Sequence, residues 1–468
     1  MEFDVVIGLE IHAELKTKTK VFCSCKNEFG APANKNTCPI CTGMPGSLPI
    51  INKKAVELCI KAGLCFGCKI NDYAVMERKN YFYPDLSKAY QISQLVYPIC
   101  LGGGITLDNG EFKALNRIHL EEDAGKLNHI SKLVGTLVDY NRGGTPLIEI
   151  VTEPVFSNAE EVTEFLRKIR EALVFADIAN CKMEEGGMRC DVNLSLKPKG
   201  SAKFGTRTEM KNLNSFKSVV SAINYEIDRQ KEILSNGGVV FQETRKWSDD
   251  LGENYSLRSK EEAQDYRYFP DPDILPIKIS KADVEEIREQ IPVLPADRRK
   301  KYIQEFLLSS QEAELITSDK YVSDYFENTV KIYNNPKKIA NWVLTELLRR
   351  VKETNADVFP ISEKELASIV KMVEDKKVTK SNGIVLIDEI IKTGKSAEVL
   401  AKELNLISTV TEQQIKELLE RFKVENPKAV EDFKTDPKVQ SFIIGYVMKN
   451  TQGKANGQIV TDLISKMF

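Results

Sequence analysis

Four acids stand inside otherwise apolar, strand-like runs: Glu10 in VVIGLEIH, Glu149 in TPLIEIV, Asp191 in RCDVNLSL and Glu209 in GTRTEMKNL. An ionised carboxylate withdrawn from water is costly unless a cation, a metal or several donors meet it. Their repetition therefore points to one shared polyanionic pocket, for which a divalent metal is the simplest partner. With the period of a strand, Val5, Ile7, Leu9, Ile11 and Ala13 fall on one face, and Gly8, Glu10, His12 and Glu14 on the other. The same alternation sets Asp191, Asn193 and Ser195 against Val192, Leu194 and Leu196, and sets Arg207, Glu209 and Lys211 against Thr208 and Met210. Several strands thus share an apolar back and an acid-rich front.

Oxygen ligands with one imidazole suit magnesium or manganese, which keep several waters and bridge to substrate phosphates. For any one acid, a solvated sheet face with ordinary ion pairs is a sufficient account; for the set, a metal pocket is the better one. RIHLEEDAGKL places Glu121, Glu122 and Asp123 side by side at the end of a strand. Such a run is usually a solvated turn, but Ile118 and Leu120 hold it in a sheet, so one or two of these acids are candidates for the metal. His119 and His129 read as surface or packing histidines.

Cys23 and Cys25 form a C-x-C, and Cys38 and Cys41 a C-x-x-C, across a short loop rich in Gly, Pro and Asn. That spacing suits a structural zinc, with four reduced thiols in a loop as the alternative. Cys65 and Cys68 lack a partner pair and read as packing. ERKNYFYPDLSKAYQISQ interleaves Arg78, Lys79 and Lys88 with Tyr81, Phe82, Tyr83 and Tyr90. Such a segment either grips a phosphate and stacks on a base or sugar, or is a packed hairpin with surface lysines. DYRYFPDPDILP is similar, and its Arg267 is a candidate for neutralising phosphoryl charge. No G-x-x-x-x-G-K-[ST] occurs, so any nucleotide would be held by metals and cations rather than a P-loop. Nor is there a nucleophile elbow or thiol–histidine signature, and nothing points to glutamine hydrolysis by this chain.

At 468 residues the chain exceeds what one core usually supports. Lys+Arg 66 against Asp+Glu 68 leaves a formal charge of -2, which argues neither for nor against a nucleic-acid partner. No secretory leader or membrane span is visible, so a cytoplasmic protein is expected, with its ten cysteines as thiols or metal ligands. The fold class expected is α+β. Strands and a few helices fill residues 1–292; Pro270, Pro272, Pro276, Pro292 and Pro295 then break regular structure, and helices follow over 293–405 and in a small tail over 406–468. Within the first part, Ser157 and Glu160 read as the capping box of a helix with Val162, Phe165, Leu166, Ile169 and Leu173 inward. A second helix turns Phe216, Val219, Val220, Ile223 and Ile227 inward and stops at Asn236-Gly237-Gly238. In KKIANWVLTELLRRV, Ile339, Trp342, Val343 and Leu347 share one face.

VVIGLEIHAEL, RKNYFYPDL, HLEEDAGKL, DYNRGGTPLIEIVTEP, MEEGGMRCDVNLSL, GTRTEMKNLNSF and RSKEEAQDYRYFPDPD, in that order, closely resemble the B subunits of bacterial glutamyl/aspartyl-tRNA amidotransferases, and VMKNTQGKAN extends the likeness to the tail. The resemblance implies an antiparallel-sheet cradle domain like the glutamine synthetase fold, holding divalent metals among carboxylates. It implies that ATP phosphorylates the side-chain carboxylate of Glu mischarged on the glutamine tRNA, or of Asp mischarged on the asparagine tRNA. Ammonia made by a glutaminase partner, the A subunit, then displaces phosphate, and a small C subunit stabilises the heterotrimer. Carried over by position, Glu10, His12 and Glu122 become magnesium ligands, Glu121, Glu149, Asp191 and Glu209 complete the cradle, and Lys79 and Arg267 contact phosphate. The four cysteines match a zinc loop that only some members have, and the tail matches one that grips the tRNA body.

The chain departs from the usual pattern at Ser87 and Gln264, where proline and histidine are common. It also departs at Tyr446 and Gly457, and through most of Ser381 to Leu406. The cradle acids are intact. A noncatalytic tRNA-binding scaffold, a specialised second copy of the B subunit and a free-standing ligase for a small amino acid are the competing readings; the last leaves the long helical tail without a purpose.

Overall fold

The fold was analysed in a computed structural model that describes residues 2–129, 135–259, 265–354, 358–407, 410–433, 438–451 and 455–468. Gln264 lies outside the described residues. The chain divides into two compact units, Met1–Ala296 and Asp297–Phe468.

The first unit is built on a ten-stranded sheet. Its strands include β1 (Phe3–Glu14), β2 (Lys69–Ile70), β5 (Cys100–Leu101), β6 (Phe112–Glu122), β7 (Pro146–Thr152), β8 (Met188–Pro198), β9 (Thr208–Leu213), β10 (Glu243–Ser248) and β11 (Glu253–Ser259), while β3 (Glu77–Asn80) and β4 (Tyr90–Ser93) pair with each other beside it. The spatial order is β11-β10-β9-β8-β1-β7-β6-β5-β2, with the short Gly104–Thr106 strand on β6. Neighbours run antiparallel except β9 and β10, which are parallel, so the expected antiparallel cradle is a mixed sheet. The physical reason is topological. The whole of helix α3 (Phe216–Ser235) separates β9 from β10, and a helical crossover returns a strand in the same direction.

Alternation decides which face is buried. Ile7, Leu9, Ile11, Ala13, Val192, Leu194 and Met210 are closed from solvent, and they form one core with α1 (Lys53–Cys65), α2 (Ala159–Phe175) and α3 on the back of the sheet. On α2, Val162, Phe165, Leu166, Ile169 and Leu173 are all inward. Its cap lies one residue later than expected. Asn158, with extended backbone at φ -157°, accepts from the Glu161 N–H, and the Glu161 carboxylate accepts from the Ser157 N–H. An Asn in extended backbone immediately before the helix is the stronger cap, and Ser157 is left outside. α3 is capped by Ser215 and ends at Asn236 and Gly237, whose φ of +74° suits only glycine without strain. Its Val219, Ile223 and Ile227 are buried, while Phe216 and Val220 pack at the margin of the core.

From Pro295 onward every described element is helical. The second unit holds two hydrophobic cores, one drawn from Tyr302 to Ala401 and one from Ile415 to Ile464. KKIANWVLTELLRRV is not one regular helix. Pro336–Trp342 leads into a π turn at Val343–Leu347 and then into Leu348–Thr354. Ile339, Trp342, Val343 and Leu347 are nonetheless all buried, and the turn also draws in Glu346, which the Arg350 guanidinium meets at 2.9 Å. The divergent span from Ser381 keeps helical structure in Lys380–Thr393 and Ala397–Glu403. Among the described residues no helix is long and apolar enough to cross a membrane.

Candidate functional site

The open face of the sheet carries the acids, and strand register lines them up. Across four strands His119, Glu149, His12 and Arg189 are successive partners; beside them Glu10 pairs with Asp191, and Asn193 with Glu209. Directly opposed residues on one face lie about 4.5–5.5 Å apart at Cβ, so these side chains must answer one another's charge. A cleft of about 860 Å³ opens above them and is lined by Lys79, Tyr81, Arg207, Lys246 and Tyr266 as well as the acids. Its size is that of a site for a substantial small-molecule ligand.

Two groups of three donors are each close enough to share an ion. One is His12, Glu121 and Glu149, the other Glu10, Asp191 and Glu209, with the donor atoms of each group within 4.8 Å of one another. In the first, His12 Nε2 lies 3.2 Å from Glu121 and 3.8 Å from Glu149, and Ser93 donates to the other Glu121 oxygen at 3.2 Å. Burial works against ionising Glu121, but hydrogen bonds from His119 and His12 outweigh it and hold this carboxyl well below the usual range. In the second group, Lys211 Nζ bridges Asp191 at 2.6 Å and Glu209 at 3.0 Å, and Asn193 donates to Glu10 at 3.0 Å. Burial first, then the charges of Glu149 and Glu209, push the Glu10 carboxyl up. That is the signature of a negative site short of positive charge.

Of the residues the sequence nominated, Glu10, His12, Glu121, Glu149, Asp191, Glu209 and Lys79 come together in the cleft. Two do not. Glu122 is turned to the other side of its strand, where it accepts from Lys88 Nζ at 2.7 Å and from the Ile92 N–H at 2.9 Å. The period of two decides this, because a face that shows Glu121 must hide Glu122. Arg267 is 83% exposed, sits at φ +46° and pairs only loosely with Asp265 at 3.9 Å; its neighbour Tyr266 lines the cleft instead. Beside Lys79, the cations that line the cleft are Arg189, Arg207, Lys211 and Lys246, of which Arg189 pairs with Asp123 and Lys211 with Asp191 and Glu209.

His119 corrects a further expectation. It is 2% exposed and belongs to the acid face, with Nε2 3.1 Å from Glu149 and 3.7 Å from Glu121. Counting two residues back from Glu121 would have found it. Burial alone would lower its pKa, but Glu149 and Glu121 raise it to about 9.

The four thiols of Cys23, Cys25, Cys38 and Cys41 converge, with their sulfurs within 4.8 Å of one another. The loop is tied down by Ser87 Oγ, which donates to the Cys41 carbonyl at 2.8 Å. Gly43, at φ +68°, lies so close that a Cβ would stand 2.8 Å from the Ser87 carbonyl oxygen. Lining the same small hollow is Lys20, fully buried, its ammonium bonded to the Tyr140 carbonyl at 3.0 Å. A buried ammonium calls for negative charge nearby, and Cys41 is the thiol placed to supply it: a hydrogen bond from Cys23, with the Lys20 charge adding to it, pushes its pKa down to about 4. Cys68 donates to the Gly102 carbonyl and packs, as expected of it.

Residues 5–285 match the family described as GatB/GatE catalytic domain, and residues 324–468 match the one described as GatB domain. The chain is 49% identical to the B subunit of the aspartyl/glutamyl-tRNA(Asn/Gln) amidotransferase of Caldicellulosiruptor bescii, over 99% of this chain and 98% of that one. It belongs to this family of B subunits. The corresponding protein of Persephonella marina is 44% identical over the whole of both chains, and the second of the numbered B subunits of Clostridium acetobutylicum is 43% identical over the same extent. Both triads, the cleft cations and the cysteine loop fall inside the family's catalytic span.

Proposed function

We propose that this B-type chain uses ATP to phosphorylate the side-chain carboxylate of Glu-tRNA(Gln), Asp-tRNA(Asn) or both, and then amidates it with ammonia delivered by a glutaminase partner, the A subunit, in a heterotrimer completed by a small C subunit. The observation that carries this reading is the presence of two acidic triads, His12–Glu121–Glu149 and Glu10–Asp191–Glu209, in one cleft that arginines and lysines also line. Two acid groups a short distance apart, with arginines and lysines around them, meet what transfer of a phosphoryl group between two anions requires.

The donor set fits magnesium, with His12, Glu121 and Glu149 as one ligand group and Glu10, Asp191 and Glu209 as the other. Bound there, it would offset charge on the triphosphate and on the attacking carboxylate. Lys79, Arg189, Arg207 and Lys246 are placed to take phosphate oxygens and to orient the γ-phosphoryl group toward that carboxylate. A carboxylate is a poor electrophile. Its oxygen attacks the γ-phosphorus, ADP leaves, and the acyl phosphate now has a leaving group. Ammonia adds to the carbonyl carbon, phosphate departs, and the amide remains. Tyr81 and Tyr266 on the cleft wall narrow the space in which water competes with ammonia.

The sheet with acids on its open side supports kinship with the glutamine synthetase architecture. The cysteines fit a structural zinc: a tetrahedron with Zn–S of about 2.3 Å sets sulfurs roughly 3.8 Å apart, within the observed spread, and the buried Lys20 balances its thiolates. The helical tail over 406–468 is assigned to the tRNA body, and the work to the cytoplasm, where mischarged tRNA is met.

The test is phosphate release from ATP by the assembled heterotrimer with magnesium, comparing Glu-charged glutamine tRNA, Asp-charged asparagine tRNA, uncharged tRNA and free glutamate. Selective stimulation by a mischarged tRNA, lost in Glu10→Ala, supports the reading and identifies the substrate. Stimulation by none of them, or full activity in Glu10→Ala, sinks it.

A further inference from the structure

We infer that His119 is the positioning residue of the first triad: from the buried end of the cross-strand row, its Nε2–H holds Glu149 so that Glu149, Glu121 and His12 present their donor atoms together. This rests on the cation reading of the triad given above. His119 reads neither as a ligand nor as simple packing, and three observations argue the point.

First, its place in the sheet is fixed twice over. The β6–β7 register sets it directly opposite Glu149, and it lies two residues from Glu121 on the same face of its own strand. Second, its two ring nitrogens have different surroundings. Nε2 lies 3.1 Å from a Glu149 oxygen and 3.7 Å from a Glu121 oxygen, whereas Nδ1 is buried with no hydrogen-bond partner among the described residues. With the carboxylates facing Nε2, that nitrogen carries a proton toward them whether the ring is neutral or charged, and a nitrogen that carries a proton to a carboxylate has no lone pair left for a metal. Third, His119 is closed off from the cleft: it is 2% exposed and is not among the residues that line it. His12, by contrast, is 19% exposed and faces the cleft. The arrangement is therefore His12 in front as ligand, two carboxylates between, and His119 behind as donor. An imidazole N–H that turns a ligating carboxylate restricts its rotation, which raises affinity without adding a ligand.

The test uses Mn²⁺ as the probe, titrated into the full-length chain and followed by electron paramagnetic resonance, with melting by circular dichroism alongside. His119→Ala removes the donor, His119→Gln restores an amide N–H at the reach of Nε2, and His119→Asn puts it at the reach of Nδ1. Glu149→Gln serves as the ligand control. The expected result is a loss of Mn²⁺ affinity of about 10- to 100-fold in His119→Ala, most of it recovered in His119→Gln and little in His119→Asn, although the three melt together. If His119→Ala folds poorly, the contrast between Gln and Asn carries the test alone. Wild-type affinity in His119→Ala, or equal weakness in Gln and Asn, overturns the inference while leaving the cation reading intact. No Mn²⁺ binding in the wild type that Glu149→Gln removes would overturn the cation reading, and this inference with it.

Discussion

Beneath the acid face, Glu226 anchors the two strands that bring Glu209 and Lys246 to the cleft, and removing its charge yields a prediction that can be worked through. The residue is fully buried on α3. Its carboxylate accepts from Thr208 Oγ1 at 2.8 Å on β9, from Gln230 Nε2 at 2.8 Å, and from the Arg229 guanidinium at 2.9 and 2.7 Å. Arg245 on β10 stands 3.6 Å away as an ion pair, and its Nε has no hydrogen-bond partner among the described residues. Glu226→Gln keeps the volume, so no cavity is opened, but it strips the charge from beneath two guanidiniums and turns an amide N–H toward groups that are themselves donors. Breaking one side of a buried pair costs about 3–5 kcal/mol. Glu243 remains 2.5 Å from Arg245 and 3.7 Å from Arg229, which puts the loss at the lower end. For a unit of this size, roughly 2 °C per kcal/mol then gives a melting point lower by about 6 °C. Calorimetry of the full chain reads the shift, and hydrogen exchange should show the amides of β9 and β10 opening first. A melting point unchanged within error, or exchange that speeds up equally throughout the sheet, would refute the claim that this residue clamps those strands.

In the second unit, Ser309 caps the Ser310–Thr317 helix, and Glu312 returns the bond and meets Lys337 at 2.6 Å, which together hold its carboxyl down at about 2. A depressed carboxyl stabilises above its unfolded pKa and loses that contribution as pH falls toward 2. Glu312→Gln should therefore cost about 1 kcal/mol near neutrality, with urea titrations of the two proteins converging as the pH is lowered from 4.5 toward 2; a constant gap would contradict the assignment. In the cysteine loop, Cys41→Ser should lose stoichiometric zinc by atomic absorption and become protease-sensitive between residues 23 and 47, whereas wild-type zinc content in that variant would remove Cys41 from the ligand set.

Much of the site was legible because β-strands alternate. The period of two put Glu10 with His12, Asp191 with Asn193 and Glu209 with Lys211; the structure brings all of these but Asn193 to one cleft, and Asn193 donates to Glu10 from beside it. The same rule, applied to HLEED, separates Glu121 from Glu122 and joins His119 to Glu121; carrying ligands over by resemblance instead chose Glu122 and left His119 out. Arg189 escaped notice because its partner, Asp123, comes from a distant segment and meets it only after folding. Arg267 fails for the opposite reason. Composition marked it as a cation near aromatics, but direction is set by backbone, and at φ +46° the chain turns Tyr266 rather than Arg267 toward the acids.

The helical half was legible in type and not in detail. A helix cap one residue late, a π turn within an apparently continuous amphipathic run and a parallel strand pair across α3 all depend on tertiary context that local periodicity does not contain. These misses have little effect on the acid face, which needs only register and alternation. Where a site is written across strands, its residues are fixed by pairing, so an error in one helix boundary does not move them; where the errors fell on β6 itself, they set Glu122 beside Glu121 and hid a histidine. A strand's parity thus carries more functional information per residue than any helix signal in this chain.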